Sequence, residues 1–299
     1  MHHIESVTLD ELECWHFQHG QAQLLVAKQG AQVLSYQVGD EPPIVWLNEK
    51  AQYKKGKGIR TGMPVCWPWF GNLARNPQSV QAMRVSDEPA TAHGLVRTRE
   101  WELLEIDDAG EALHIELGLP PIDGGLPGWP HDVALTLSIR LDTQLHVSLT
   151  SHNRSDTPVS ISQALHSYFA VSDVRNVHVD GLDGLTYIET LDDWKHVQQN
   201  GALTFSGETD RIYLDTPQQL SIVDTDWHRS IELTSRGSRT AVIWNPWTDK
   251  TATFSDMAPD GWQRMLCIET ANVMDDVITL EPGASHTLGV SISSKQLKA

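Results

Sequence analysis

Two short stretches of this chain set a group that can trade protons into an otherwise apolar strand. The first is Gln163-Ala164-Leu165-His166-Ser167-Tyr168-Phe169-Ala170. Its period-two alternation puts Ala164, His166 and Tyr168 on one face of a strand and Leu165, Ser167 and Phe169 on the other. A histidine there has three readings: a satisfied core side chain, a proton-transfer group, or a metal ligand. The second stretch is Met265-Leu266-Cys267-Ile268-Glu269-Thr270-Ala271. An unpartnered carboxylate in such company is costly, so Glu269 is paired with a cation, protonated through a raised pKa, or held in a functional cleft. The plainer reading is a carboxylate at a strand end meeting solvent. A proton donor and a carboxylate base in one cleft suit acid–base catalysis, in which each contributes roughly 10²–10⁴-fold. Their separation in sequence cannot bring them together by itself.

Around these two lie further candidates. Arg60, Arg97 and Arg99 adjoin short glycine-bearing stretches, and isolated arginines of this kind are also common as solvated surface groups. Arg60 opens the stretch Gly58-Ile59-Arg60-Thr61-Gly62-Met63-Pro64-Val65-Cys66-Trp67-Pro68-Trp69-Phe70-Gly71, whose prolines and glycines forbid regular helix or central strand. So apolar and irregular a segment reads as the packed wall of a cleft. His93, before Gly94, is ambiguous between packing and chemistry. Trp67, Trp69, Trp129, Trp244 and Trp247 fall in or beside irregular segments, where an indole packs a loop or offers its face to a sugar ring. Nucleophile and phosphate-loop motifs are missing: the sequence holds no GxSxG, HExxH or SxxK pattern, and Gly56-Lys57-Gly58 is not a P-loop. Cys66 and Cys267 sit in apolar company that makes thiols inert.

The elements that must position these residues are strands. Runs at Leu24–Ala27, Gln32–Gln37, Ile44–Leu47, Trp101–Ile106, Leu113–Leu117, Val133–Ile139, Leu145–Thr150, Val177–Val179, Thr186–Ile188, Leu220–Val223, Ser230–Leu233, Thr240–Trp244, Gln263–Thr270 and His286–Ile292 are separated by turn chemistry. Asn72–Thr91 reads as a long polar loop carrying Arg75 and Arg84, and residues 120–132 as an irregular Pro/Gly-rich loop that includes Asp123. The rhythm is that of an all-β, antiparallel sandwich or barrel, and no linker interrupts it, so residues 1–299 are expected to form one domain.

With 299 residues, 40% of them hydrophobic, the chain can build a sizeable core. Its formal charge of −17 argues against nucleic acid and against an anionic membrane surface as partners. A small anion can still bind where a few arginines are gathered. Three cysteines without CxxC spacing give neither a disulfide scaffold nor a zinc signature. With no signal-peptide pattern at the N-terminus, the expected setting is the cytoplasm.

Six segments, in this order, resemble the glucose-6-phosphate 1-epimerases, the hexose-6-phosphate mutarotases of the aldose 1-epimerase superfamily. They are Ile59–Gly71, Ala92-His93-Gly94-Leu95-Val96-Arg97, Leu165-His166-Ser167-Tyr168-Phe169, Thr209-Asp210-Arg211-Ile212-Tyr213, Trp244-Asn245-Pro246 and Cys267-Ile268-Glu269-Thr270-Ala271. The resemblance implies a galactose-mutarotase-like fold, a large antiparallel β-sandwich with its site on a concave sheet. It implies His166 as general acid, Glu269 as general base, Arg60 and Arg97 as sugar-phosphate contacts, Asp210 as acceptor for a sugar hydroxyl, and His93 in the cleft. It calls for no cofactor and no metal, and for a small-molecule sugar phosphate as the partner of a monomer. In the implied reaction the histidine begins protonated and the glutamate ionised. Two departures bear on sugar preference: Ala92 stands where relatives often have Gln, and the Asn72–Thr91 loop is longer than in many members. The alternatives are a mutarotase for unphosphorylated aldoses, a non-catalytic sugar-binding sandwich, and a glycosidase. The last needs two carboxylates roughly 5–9.5 Å apart, for which Glu269 and Asp210 are the available pair.

Overall fold

The computed structural model describes residues 2–108, 110–122 and 124–297, so Asp123 of the Pro/Gly-rich loop lies outside the described residues. Among them the chain is built on large antiparallel sheets. A nine-stranded sheet includes Leu113–Gly118, Val133–Leu141, Leu145–Asn153 and Ser285–Gln296 as neighbours or near neighbours. Strict alternation shapes it: Leu145, Val147 and Leu149 are buried, as are Leu135, Leu137, Ile139 and Leu141 on the adjoining strand. Each such side chain contributes about 1.5–3 kcal/mol on burial. An eight-stranded sheet runs in the order Lys195–Gln198, Thr186–Glu189, Thr209–Tyr213, Thr240–Asn245, Met265–Asn272, Gln163–Leu165, Val65–Cys66, with Tyr168–Ala170 also paired to Met265–Asn272. Leu165, Ile243, Leu266 and Ile268 of this sheet share one core with Leu149, Leu288 and Ile292 of the other. The result is the expected β-sandwich.

One face of the eight-stranded sheet packs on that core, and the other carries the chemistry. Register fixes which residues share the second face: Asp210 pairs with Trp244, Ile212 with Val242, Val242 with Glu269, and Trp244 with Cys267. On the other flank Ala164 pairs with Ala271 and Tyr168 with Cys267. Period two then sets Asp210, Trp244, Glu269 and the odd-one-out His166 on a common floor. Met265–Asn272 is buried along its whole length because both faces are covered.

The structure corrects several boundaries. The Gln163–Ala170 stretch is two short strands, Gln163–Leu165 and Tyr168–Ala170, with His166 and Ser167 between them. The interruption falls where the Ser167 N–H turns back to donate to the Leu165 carbonyl, 3.0 Å away, instead of crossing to Met265–Asn272, while the His166 N–H continues the ladder to Val65–Cys66 by donating to the Pro64 carbonyl at 3.0 Å. Ile44–Leu47 forms only isolated bridges, and Gln263–Thr270 begins as the 3₁₀ turn Gly261–Arg264 before the strand Met265–Asn272. The N-terminal strands His2–Leu9 and Leu12–His19 were not anticipated; with Ala22–Ala27 and Val33–Val38 they make a four-stranded sheet. Asn72–Thr91 is not featureless, since it holds a 3₁₀ turn, Leu73–Arg75, and the short helix Gln78–Gln81, anchored by buried Val80.

The irregular wall from Gly58 to Gly71 is held by close backbone approach. Gly94 has φ +76°, and a Cβ there would lie 1.9 Å from the Trp67 carbonyl oxygen, whose bond to the Leu95 N–H (2.8 Å) ties the His93 turn to the wall. Gly94→Ala should therefore cost the backbone strain of about 1–3 kcal/mol plus the clash. Urea unfolding checks this: a midpoint unchanged from wild type would show that the approach is not needed.

Candidate active site

The cleft over the eight-stranded sheet has a cavity volume of about 620 Å³ and is lined by His166, Glu269, Asp210, His93, Arg60 and Arg97 among others. All six residues singled out in the sequence therefore meet in one place. The meeting of the first two follows from register. Leu165 faces Thr270 and Tyr168 faces Cys267, so the same register carried through the gap sets His166 opposite Glu269. Their side chains approach to 3.3 Å, His166 Nε2 to Glu269 Oε1, and both are almost fully buried. The His166 ring lies flat on Tyr168, at a centroid distance of 4.9 Å and 8° between planes, which fixes its orientation. His166 Nδ1 and Glu269 Oε2 are buried without a protein partner, so each core polar group retains one hydrogen-bonding position.

Burial dominates the electrostatics of the pair. It holds His166 well below the usual histidine range, with His93, Arg97 and Arg60 adding to the effect. It lifts Glu269 well above the usual carboxylate range, helped by the nearby Asp210 charge. The expected resting state, a charged histidine beside an ionised glutamate, is thus opposed by desolvation. The two descriptions nevertheless hold the same single proton, on His166 in one and on Glu269 in the other.

The remaining candidates occupy the walls. His93 Nδ1 accepts from the Gly71 N–H (3.3 Å) and lies 3.4 Å from Cys66 Sγ, which leaves the proton of a neutral ring on Nε2. Burial, with Arg97 and Arg60 nearby, pushes its pKa down to about 3, so it is a neutral donor. Arg60 Nη1 bonds both oxygens of Asp256 at 3.1 and 3.0 Å, and its guanidinium lies 4.3 Å over Phe254. Arg97 donates to the Ala92 carbonyl (3.2 Å) and rests against Gly58, where a Cβ would come within 3.1 Å of its Cζ. Asp210 lines the floor, and burial raises its pKa. Of the tryptophans, Trp244 reaches the cleft, whereas Trp67 packs edge-on against Trp129 (4.7 Å) inside the core and Trp247 against Trp262 (4.3 Å). Arg99 is not among the cleft residues.

His166, Cys267 and Glu269 also present ligand-type atoms within 4.8 Å of one another. A metal would require the thiol and the carboxyl to ionise, and burial pushes both of these groups toward their protonated forms. The trio is better suited to holding a proton. Sequence reasoning gives no role to Arg75, Lys250, Trp194 or Phe70, which also line the cleft. A signal existed only for Phe70, within the apolar wall; the others sit in polar segments.

The architecture defines a galactose-mutarotase-like protein. A galactose mutarotase-like protein of Clostridium acetobutylicum superimposes with a TM-score of 0.74, covering 98% of each chain at 14% identity. The chain belongs to the aldose 1-epimerase family, whose model matches residues 13–293. It is an isomerase of that family. An Escherichia coli K12 protein described as a "putative glucose-6-phosphate 1-epimerase" is 34% identical over 88% of this chain and 84% of its own. The crystal structure of a "putative mutarotase" from Salmonella typhimurium matches with a TM-score of 0.87 at 28% identity, over 98% of this chain and 94% of that one. Among the described residues, no helix is long and apolar enough to cross a membrane.

The pair makes stability depend on pH in a definite direction. Glu269, raised in the fold, contributes stability that is complete below its ordinary 4.5 and is lost as pH rises through its folded value. His166, lowered, contributes stability that is complete above its ordinary 6.5 and is lost as pH falls. As pH rises above the ordinary glutamate value of 4.5, the Tm of wild type should therefore fall relative to that of Glu269→Gln, which has no such proton to lose. Thermal scans of both proteins over rising pH check the sign; a wild-type Tm that rises relative to that of the variant would contradict it.

Proposed function

We propose that this isomerase interconverts the α and β anomers of hexose 6-phosphates, glucose 6-phosphate foremost, with His166 as general acid and Glu269 as general base. The observation that carries the reading is a buried acid–base pair, 3.3 Å apart, at the floor of a cleft whose walls bring Arg60 and Arg97 together in a chain of net charge −17. Glu269 takes the proton of the C1 hydroxyl while His166 gives one to the ring oxygen. The bond from C1 to the ring oxygen breaks as the C1 carbonyl forms. Rotation about C1–C2 turns the other carbonyl face toward the freed hydroxyl, and the reverse transfers close the ring as the other anomer.

The proton count closes on itself. Ring opening moves the pair's single proton from His166 to Glu269, and closure returns it. The neutral pair that burial favours is thus the form that accompanies the open-chain sugar. Protonating His166 at the start is harder, because Arg97 and Arg60 act against it. A phosphate seated on those arginines would cancel that potential and let His166 take up the proton. Phosphate recognition and acid strength are coupled in this way, which favours phosphorylated over free sugars. Asp210 accepts from a ring hydroxyl and His93 donates from Nε2. The same reading takes residues 1–299 as one domain, supported by the core shared between the sheets. It also takes the setting as a reduced cytoplasm, supported by three free, buried cysteines.

Two-dimensional exchange NMR on glucose 6-phosphate and glucose, side by side, tests the substrate. Wild type should accelerate exchange of the phosphorylated sugar preferentially. Arg97→Ala should lower the rate on glucose 6-phosphate by about 1.5–3 kcal/mol of barrier, roughly tenfold to a hundredfold, while leaving the rate on glucose unchanged or higher. Equal losses on both sugars would show that Arg97 supports the fold rather than the phosphate.

A further inference from the structure

The outer rim of the cleft holds a contact that the proposed chemistry does not use. Arg75 and Trp194 both line the cavity, and the Arg75 guanidinium lies 4.9 Å over the Trp194 ring. They come from opposite edges of the eight-stranded sheet. Trp194 belongs to the connection between Thr186–Glu189 and Lys195–Gln198, at one end of the strand order; Arg75 follows Val65–Cys66, at the other. Their contact therefore spans the cleft.

Both partners are held in place. Asp193 and Trp194 adopt φ of +49° and +57°, a left-handed conformation that is strained for a bulky aromatic residue and sends the indole to the rim. On the other side, Asn72 caps the Leu73–Arg75 turn by accepting from the Ala74 N–H at 3.0 Å. Asn76 pins its end, its side-chain amide donating to the Phe70 and Asn72 carbonyls at 2.8 and 3.0 Å. Gln81 in turn donates to the Asn76 carbonyl at 2.6 Å. No carboxylate pairs with Arg75 among the described residues, whereas Arg60 is engaged by Asp256. A guanidinium held over an indole by a cation–π contact still has N–H donors to offer, and here the group is positioned at the cleft before anything binds.

We propose that Arg75, braced on Trp194, is a specificity-determining residue that donates hydrogen bonds to ring hydroxyls on the side of the sugar away from the phosphate, and so selects among hexose 6-phosphates. The proposal rests on the hexose-6-phosphate reading above. In that reading the anomeric carbon sits at His166 and Glu269 and the phosphate at Arg60 and Arg97, which leaves Arg75, the remaining arginine of the lining, to the other ring hydroxyls by which one hexose differs from another. A site built to bond a hydroxyl discriminates strongly against a sugar that presents it elsewhere, because its donors are then left unpaired.

The test measures kcat and KM for anomer exchange of glucose, mannose and galactose 6-phosphates, and of free glucose, in wild type, Arg75→Gln, Trp194→Ala and Trp194→Phe. Arg75→Gln and Trp194→Ala should lower kcat/KM for the preferred hexose 6-phosphate by roughly tenfold, mainly through KM, and flatten the ranking among the three epimers. The preference for phosphorylated over free glucose should survive, and Trp194→Phe, which keeps an aromatic brace, should retain most of the ranking. Equal losses on all three epimers, an unaltered ranking, or collapse of the phosphate preference instead would each overturn the assignment. So would a wild type that ranks the three epimers equally. A wild type that accelerates none of the hexose 6-phosphates sinks the substrate reading itself, and is seen before any variant is made.

Discussion

An acid and a base buried against each other with no other protein partner are the constraint on which this molecule turns. Taking either charge out of water costs several kcal/mol, and that cost applies to both groups at the floor of the cleft. The price is limited because one proton serves both groups. Neither needs to be charged at rest, and a single proton transfer makes both charged when a substrate supplies the stabilising groups. The apposition is set by backbone hydrogen bonding, through a register shared by two short strands on Met265–Asn272, and not by the side chains themselves. Leu266 and Ile268, which alternate with Cys267 and Glu269, hold that register by burying the opposite face in the core. Packing on one side of the sheet thereby fixes the chemistry on the other.

The walls add a second constraint, on charge. A strongly acidic chain repels anions at long range, so an anion must be recognised at short range by cations gathered in a low-dielectric site. Arg60 is oriented by Asp256 and Phe254, Arg97 by the Ala92 carbonyl and the space left at Gly58, and Arg75 by Trp194. Each guanidinium is aimed by a different device. Burial, with Arg97 and Arg60 adding to it, disfavours protonation of His93 and His166, which makes the occupancy of those two arginines and the readiness of the acid parts of one electrostatic balance.

Much of this was legible in the sequence, and the limits have physical causes. The all-β class followed from period-two runs and turn residues. The sharing of one face by Ala164, His166 and Tyr168 followed from alternation, and the ring stack of His166 on Tyr168 bears it out. The wall from Gly58 to Gly71 was marked by apolar residues where no regular structure could form. What alternation cannot supply is register between strands distant in sequence, so the approach of His166 to Glu269 rested on chemical suitability and on ordered resemblance. The break at His166 and Ser167 is not legible in alternation, because it comes from a local turn of the Ser167 N–H back onto the Leu165 carbonyl. Arg75 and Trp194 were missed for a related reason: each lies in a polar segment that reads as a solvated loop, and only the closing of the two sheet edges gives them a common role. The opposition of burial to the charged pair is a property of the fold and is not legible in the sequence.

The central claim is that His166 and Glu269 together pass the proton that opens and closes the ring. Exchange NMR on glucose 6-phosphate with His166→Ala and Glu269→Gln, each shown by circular dichroism to keep the wild-type fold, tests it directly. Each variant should lose at least about a hundredfold in the catalysed exchange rate, the lower end of what a positioned acid or base supplies. A correctly folded variant of either kind that exchanges anomers at the wild-type rate would contradict the account.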